Sequence, residues 1–184
     1  RLKEQNWFFR LTDFLPQLEE LITTDQLKIV PEGRKNETLG YIRQGISDFS
    51  VSREKVSWGI PMPWDPSQVI YVWTEALMNY LTAIGYPDEE KRWQQWWPAE
   101  AQVLGPEILK FHALYWPAML LALKLPLPEK LYVHGFFTVD GQKMSKSLGN
   151  VIDPNVLVEK FGSDATRYLI LSQFSFGSES DIKV

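Results

Sequence analysis

Cysteine is absent from this 184-residue chain, and histidine occurs only twice. Without cysteine the chain can form neither a disulfide nor a cysteine-ligated zinc site, and two isolated histidines make a histidine-based metal site unexpected. We therefore predict no metal site in this chain. The cytoplasm, a reducing compartment, is the default expectation for a protein of this composition.

An excess of basic charge is also missing. The chain carries 19 Lys and Arg against 23 Asp and Glu, which is a formal net charge of −4. A non-specific nucleic-acid binder needs a basic surface, so the composition argues against that class and leaves open only a local basic patch. With 45% hydrophobic and 23% charged residues, the composition is typical of a globular domain.

Long apolar runs are lacking as well. The longest apolar-looking segment covers residues 114–127 and is interrupted by Pro117, Lys124 and Pro126. A helix that spans a bilayer needs about 20 consecutive apolar residues. We therefore expect no membrane partner.

Short apolar runs alternate with helical patterns through the middle of the chain. These runs predict strands at residues 69–73, 102–105 and 131–135, with helices over 75–84 and 107–123 between them. Further helices are predicted over 8–22, 36–44, 156–161 and 163–172. Alternating strands and helices with short connections predict an α/β fold with a parallel, doubly wound sheet, of which three strands are about half.

The carboxyl ends of the predicted strands mark the place for a ligand. In parallel α/β sheets, ligands bind in the crevice outside those ends. We expect Trp73, Glu107 and His134 to lie together on that edge, because each comes at or just after the end of a predicted strand. This convergence predicts a pocket but does not identify the ligand.

A polar, glycine-bounded loop over residues 140–150 follows the third predicted strand. Lys143 and Lys146 flank Ser145 within it, so two ammonium groups could meet one polyphosphate. Transfer at phosphorus depends on stabilising charge on non-bridging oxygens, which lysines can do. An ordinary solvated surface loop has the same composition, and the residues alone leave both interpretations open.

The five residues Lys143-Met144-Ser145-Lys146-Ser147 match the KMSKS signature of the class I aminoacyl-tRNA synthetases. Other segments resemble the methionyl branch of that family, most densely from Trp58 to Tyr168: Trp58-Gly-Ile-Pro-Met-Pro, Tyr71-Val-Trp, Leu81-Thr-Ala-Ile-Gly-Tyr86, Ile108-Leu-Lys-Phe-His-Ala113, Tyr115-Trp-Pro-Ala-Met119, Val133-His-Gly135, Leu148-Gly-Asn-Val151 and Asp164-Ala165. The leucyl, valyl, isoleucyl and cysteinyl relatives stay open as alternatives. A non-catalytic synthetase-like module that binds RNA or protein stays open too, whereas a nucleotidyltransferase-like domain is disfavoured by the set of Trp73, Tyr80 and His112.

The resemblance implies a Rossmann-like catalytic domain that activates methionine with ATP and Mg²⁺ to methionyl-adenylate and then esterifies tRNA(Met). It implies catalytic roles for Lys146 and Lys143 at the ATP phosphates. The other residues that it implies at the ATP are Ser145, Ser147, His134 and Gly135. Those implied at methionine are Trp73, Tyr80, Glu107 and His112.

A methionine thioether suits an aromatic pocket, because sulfur is polarizable and makes favourable contacts at ring edges. His112 or the Tyr80 hydroxyl could also donate a hydrogen bond to sulfur. Ordinary core packing is the alternative for these side chains. Two segments depart from the family pattern: Gly105-Pro106-Glu107 stands where Gly-Lys-Asp is typical, and Thr74-Glu75-Ala76 where Phe-Asp-Ala or Leu-Asp-Ala is typical. The first departure weakens the assignment of Glu107.

The resemblance also implies a domain plan. Residues 1–57 would end a connective insertion, 58–150 would be the second half of the catalytic domain, and 151–184 would begin a helical stem-contact region. The chain starts at Arg1 and holds no His-x-Gly-His motif, the other class I signature. We therefore expect a fragment of a longer enzyme, inactive without the remaining half of the catalytic domain, with zinc possible elsewhere in the parent protein.

Overall fold

Four small sheets and seven α-helices make up the fold in a computed structural model that describes residues 4–173 and 176–182. The strands are β1 Phe8–Phe9, β2 Lys28–Val30, β3 Phe49–Ser50, β4 Ser52–Arg53, β5 Pro61–Met62, β6 Asp65–Ile70, β7 Gln102–Leu104, β8 Lys130–Val133, β9 Phe137–Val139, β10 Gln142–Lys143 and β11 Ser180–Asp181. The helices are α1 Leu15–Thr23, α2 Glu32–Arg43, α3 Val72–Thr82, α4 Glu90–Trp96, α5 Trp116–Ala122, α6 Pro154–Phe161 and α7 Ser163–Ser172.

A parallel sheet of order β2-β8-β7 lies at the centre of the fold. Leu131 and Val133 of β8 are both fully buried, as expected for a middle strand that has helices against its faces. Burying side chains of this kind contributes about 1.5–3 kcal/mol each. The predicted α/β fold with a parallel sheet and flanking helices is confirmed, and β7 and β8 lie close to the predicted strands 102–105 and 131–135.

The first predicted parallel strand, residues 69–73, is wrong. The strand β6 ends at Ile70, pairs antiparallel with β4 and β5, and is followed at once by α3, which begins at Val72. Only Pro63 and Trp64 separate β5 from β6, and a connection this short joins antiparallel strands, since a parallel pair needs a long crossover. The third parallel strand is β2, whose three residues give too short a pattern to detect.

The helix predicted over 107–123 is present but irregular. A 3₁₀ turn over Pro106–Ile108 leads into a π-helical turn over Phe111–Tyr115, which α5 continues. Pro117 explains the irregularity, because it lacks an N–H and its ring displaces the carbonyl one turn earlier, which a wider π turn accommodates. The segment is buried, and Trp116 and Leu120 have no exposed surface.

The polar loop begins as a β-hairpin rather than as irregular chain. Strands β9 and β10 pair antiparallel, and β11 pairs parallel with the other edge of β9. The two turn residues, Asp140 and Gly141, have φ of 52° and 70°. Positive φ at both central positions is typical of a type I′ turn, the connection that matches the twist of a tight hairpin.

The two helices after the loop agree with the prediction. The Asp153 side chain accepts a hydrogen bond from the Asn155 amide at 2.8 Å and so caps α6. Gly162, at φ 80°, joins α6 to α7. At the other end of the chain the helix predicted over 8–22 is confirmed only from Leu15, where α1 begins, and its first part is wrong because residues 8–9 form β1.

No helix within the described residues is long and apolar enough to cross a membrane. The sheet also links two of the expected regions, because β2 from residues 1–57 pairs with β8 from residues 58–150. The division at residues 57 and 150 stays a prediction.

Candidate functional site

Tyr80 and His112 meet directly between two helical segments. The Tyr80 hydroxyl on α3 lies 2.8 Å from Nε2 of His112 in the π-helical turn. The other ring nitrogen of His112, Nδ1, lies 2.9 Å from the carbonyl oxygen of Ile108. His112 is only 3% exposed, whereas Tyr80 reaches the surface at 37% exposure. The pair therefore has a buried end and an accessible end.

The hydrogen-bond partners decide the tautomer of His112. A carbonyl oxygen can only accept, so Nδ1 carries the proton, and Nε2 of the neutral ring accepts from the Tyr80 hydroxyl. Burial lowers the pKa of His112 from its ordinary value of 6.5, which favours this neutral form. Burial also raises the pKa of the Tyr80 hydroxyl, which keeps its proton. In this arrangement both hydrogens are engaged within the protein, and the expected donation to sulfur stays a prediction.

Trp73 reaches the same helical segment by stacking. Its ring lies 4.0 Å from the ring of Phe111, centroid to centroid, at an interplanar angle of 15°. Phe111 directly precedes His112, so Trp73 and Tyr80 contact neighbouring residues of the same π-helical turn. A π turn inside a helix is often found at a functional site, because it redirects side chains from the regular helical positions.

Glu107 and His134 both lie beside Gly105, at the carboxyl ends of β7 and β8. A side-chain carbon placed on Gly105 would lie 3.2 Å from Oε2 of Glu107 and 3.5 Å from Cε1 of His134. Gly105 therefore leaves a recess between a carboxylate and an imidazole. The His134 ring is oriented by Nδ1, which lies 2.8 Å from the Gly135 carbonyl oxygen. This part of the predicted strand-end cluster is confirmed.

Trp73 does not complete that edge as predicted, because it follows an antiparallel strand rather than a parallel one. It approaches the cluster through Phe111, which comes one helical turn after Glu107. The strand-end residues and the aromatic residues are thus neighbours along the segment that follows β7.

Lys143 connects the loop to the strand ends. Its Nζ lies 3.3 Å from Oε1 of Glu107 and 4.6 Å from the centre of the Phe136 ring. Glu107, which the resemblance implies at methionine, therefore contacts a signature lysine. Both side chains of the ion pair are more than half exposed, so the pair is accessible to a ligand and contributes little to stability.

The rest of the signature loop is closed by Asn150. Its side-chain oxygen accepts from the Ser145 amide at 2.8 Å, and its nitrogen donates to the Lys143 carbonyl at 3.3 Å. The hydroxyls of Ser145 and Ser147 lie 2.6 Å apart. These bonds hold the backbone between Lys143 and Asn150 as a compact ring.

Lys146 lies exposed on this ring. Within residues 4–173 and 176–182, no carboxylate lies within 4.0 Å of its ammonium group. The two lysines therefore differ: Lys143 already has a carboxylate partner, whereas Lys146 presents an uncompensated charge. That arrangement suits an anionic ligand that is bound by the loop.

Two cavities adjoin these residues. One of about 450 Å³ is lined by His134, Gly135 and Phe136 beside Val103 of β7. The other, of about 670 Å³, runs along α3 past Thr74, Asn79 and Tyr80. Both volumes lie in the range of small-molecule sites. In the described part of the chain, no group of three or more His, Cys, Asp or Glu side chains is arranged to hold a metal ion.

Several contacts of the site had not been predicted. Phe111 was part of a recognised segment, yet its stacking on Trp73 had no local signal. Asn150 could have been suspected, since asparagine in a glycine-rich turn commonly bonds to nearby backbone. Residue 135 must be a glycine here, because a side-chain carbon at this position would overlap the carbonyl of Ser178.

Solved structures match this fold over nearly the whole chain. The crystal structure of Mycobacterium tuberculosis methionyl-tRNA synthetase bound by methionyl-adenylate superposes with a TM-score of 0.92 at 39% identity, covering 98% of this chain and 35% of that one. The fold is thus that of a class I aminoacyl-tRNA synthetase. Residues 1–184 match the family described as tRNA synthetases class I (M), and the chain belongs to that family.

Curated relatives agree with this membership. The methionine–tRNA ligase of Nostoc sp. is 49% identical over 182 residues, which is 97% of this chain and 34% of that protein. The methionine–tRNA ligase of Rickettsia bellii is 45% identical over 180 residues, which is 98% of this chain and 35% of that protein. The recognition of the methionyl branch is confirmed, and the chain spans about a third of the length of the curated relatives it matches.

Proposed function

We propose that this chain works as part of a methionine–tRNA ligase. The methionine carboxylate attacks the α-phosphorus of ATP, the bond to the bridging oxygen breaks, and pyrophosphate leaves methionyl-adenylate behind. A ribose hydroxyl at the end of tRNA(Met) then attacks the methionyl carbonyl, and AMP leaves. The observation that carries this proposal is the 3.3 Å contact between Lys143 and Glu107, because it brings the signature loop to the ligand edge of the sheet.

The lysines act on the phosphates in this proposal. Negative charge moves toward the leaving pyrophosphate during the first step, and Lys146, which has no carboxylate partner among the described residues, stabilises it. Lys143 supports the same charge after exchanging Glu107 for phosphate oxygens. Ser145 and Ser147 hold the loop through their 2.6 Å contact, while His134 and Gly135 border the nucleotide. Charge placed in advance where it develops is a large catalytic effect.

Methionine occupies the aromatic side of the site. Trp73 and Tyr80 supply ring faces and edges for the thioether, and His112 holds the Tyr80 hydroxyl in one orientation at 2.8 Å. Glu107 lies between this group and the loop, where its carboxylate can meet the methionine ammonium or the ribose. Discrimination by shape and aromatic contact follows from this arrangement.

Mg²⁺ enters with ATP, whose phosphates and water supply most of its ligands, so a dedicated protein cage is not needed. The remaining half of the catalytic domain, in a longer chain of the length seen in the relatives, supplies the other contacts to ATP. Residues 1–57, 58–150 and 151–184 then correspond to the end of a connective insertion, the second catalytic half and the start of a stem-contact region. We place the enzyme in the cytoplasm.

Exchange of labelled pyrophosphate into ATP tests the proposal. The full-length protein that contains this chain should catalyse exchange that depends on methionine, and should then charge tRNA(Met). Exchange that responds to leucine, valine, isoleucine or cysteine instead would contradict the amino-acid assignment. A folded full-length protein with no exchange, but with measurable RNA binding, would support a non-catalytic module.

A further inference from the structure

The hairpin that begins the signature loop has one partner strand outside itself among residues 4–173 and 176–182. That partner is β11, near the end of the chain. The Ser180 amide donates to the Phe136 carbonyl at 3.0 Å, and the Ile182 amide donates to the Thr138 carbonyl at 2.8 Å. Ile182, which directly follows β11, is 6% exposed, so the chain is packed into the fold at the end of this strand.

Lys143, Thr138 and Asp181 form one row across the three strands. Lys143 lies opposite Thr138 in the antiparallel pair, and Thr138 lies opposite Asp181 in the parallel pair. Residues in register on neighbouring strands place their side chains on the same face of the sheet. The neighbouring strands are about 4.8 Å apart, so Asp181 lies two strand spacings from a signature lysine.

The Asp181 carboxylate holds the hairpin at two points. Its Oδ1 accepts from the Thr138 hydroxyl at 2.9 Å and from the Gly141 amide at 2.8 Å. Gly141 is in the type I′ turn, and Thr138 is in the first strand. One oxygen atom therefore fixes the strand and the turn relative to each other. Bonds to a charged acceptor are stronger than neutral ones.

We propose that Asp181 is a positioning residue for the signature loop and that it acts through Lys143. A hairpin anchored on one side only can rotate about its connection to β8, and Lys143 would move with it. Asp181 restrains that rotation and keeps Lys143 directed toward the strand ends. The inference rests on the proposed function, because the consequence of a displaced Lys143 is slower adenylate formation.

The test uses the full-length protein with Asp181→Ala, Asp181→Asn, Thr138→Val and the control Ser180→Ala. Ser180→Ala truncates a neighbour on β11 and keeps its backbone pairing. Asp181→Ala should lower the rate constant of adenylate formation roughly 10- to 100-fold, because small displacements of a positioned group are costly. Its methionine dissociation constant should match that of Ser180→Ala. Asp181→Asn keeps an oxygen acceptor and should stay within about threefold of the parent.

A double-mutant cycle with Lys143→Ala separates positioning from a general loss of structure. If Asp181 acts through Lys143, then Asp181→Ala should cost no more than about twofold when Lys143 is already absent. Full additivity of the two losses would overturn the proposal. Equal rates for Asp181→Ala and Ser180→Ala would overturn it too. Should Asp181→Ala fail to fold, Thr138→Val should still lower the rate constant of adenylate formation several-fold. A rate constant equal to that of Ser180→Ala would overturn the proposal.

Hydrogen–deuterium exchange provides a readout that does not depend on the reaction. The peptide over residues 137–147 should exchange faster in Asp181→Ala than in Ser180→Ala, because the Gly141 amide loses its acceptor. Unchanged exchange would overturn the restraint itself. A parent protein that lacks methionine-dependent adenylate formation would contradict the proposed function, while the exchange result would still decide whether Asp181 restrains the hairpin.

Discussion

The Tyr80 hydroxyl donates to Nε2 of His112 across 2.8 Å and thereby links α3 to the π-helical turn that follows β7. The two residues are 32 positions apart along the chain. Because Nδ1 of His112 is already bonded to the Ile108 carbonyl, the imidazole is held at both nitrogens. The aromatic side of the site is therefore fixed before any ligand arrives.

Replacement of Tyr80 by Phe should destabilise the protein. It leaves Nε2 of a 3% exposed histidine without its donor, and an unsatisfied buried polar atom costs about 1–3 kcal/mol. Thermal melting of the full-length protein should detect the loss, and methionine affinity should weaken because the imidazole is free to reorient. Tyr86→Phe is the matched control, since the Tyr86 ring packs on Trp93 at a centroid distance of 5.4 Å and, among the described residues, its hydroxyl bonds to no residue of the site. Equal melting temperatures for the two variants would contradict the prediction.

Stability should depend on pH through His112. Burial lowers its pKa in the folded state below the ordinary value of 6.5, so the unfolded chain binds a proton at a higher pH than the folded protein does. The contribution of the neutral ring is fully present above pH 6.5 and is lost as the pH falls through the folded-state pKa. Melting temperatures between pH 8 and pH 5 should therefore fall more steeply for the parent than for His112→Gln. Parallel curves would show that His112 is not the group responsible.

The Lys146→Ala variant should lose rate rather than affinity. Lys146 is proposed to meet charge that develops on the leaving pyrophosphate, and losing one such preorganised contact costs on the order of 10²–10³ in rate, about 3–4 kcal/mol. Pre-steady-state measurement of adenylate formation should show this loss, with the methionine dissociation constant nearly unchanged. Lys91→Ala, on the exposed surface of α4, is the control. A rate within about threefold of the parent, or a weakened methionine affinity alone, would remove Lys146 from its proposed role.

Glu107→Gln should separate stability from function. The ion pair with Lys143 has side chains 66% and 55% exposed, and pairs of that kind contribute about 0–1 kcal/mol. The pair between Arg92 and Glu89 is a matched control, because its side chains are 55% and 57% exposed. Both Glu107→Gln and Glu89→Gln should melt close to the parent. Only Glu107→Gln should change the KM for ATP or methionine, and unchanged kinetics would show that Glu107 is merely a surface carboxylate.

The purified 184-residue chain by itself should not catalyse methionine-dependent pyrophosphate exchange. The relatives are about three times as long, and the chain holds no His-x-Gly-His motif to complete the ATP contacts. The full-length protein, assayed in parallel, is the positive control. Measurable exchange by the short chain would show that the second set of phosphate contacts is dispensable.

The sequence by itself determined the features that are encoded by residues adjacent in the chain. The signature loop, the helices near its end and the approximate positions of β7 and β8 all follow from contiguous patterns. The helices α6 and α7 are an example. Asp153 caps the start of α6, and Gly162, at φ 80°, separates α6 from α7. Family membership also followed from the residues alone, since the motifs are local strings.

Only the tertiary structure decided which distant parts meet. Besides β7, the strand β8 pairs with β2 and not with residues 69–73, because pairing depends on the length of the connection and on burial rather than on β propensity. The tautomer of His112 depends on Ile108 and Tyr80 together, so no single position encodes it. Asp181 reaches Thr138 across 43 residues, and a hydrogen bond of that span leaves no periodicity in the sequence, since it exists only once both strands lie in register.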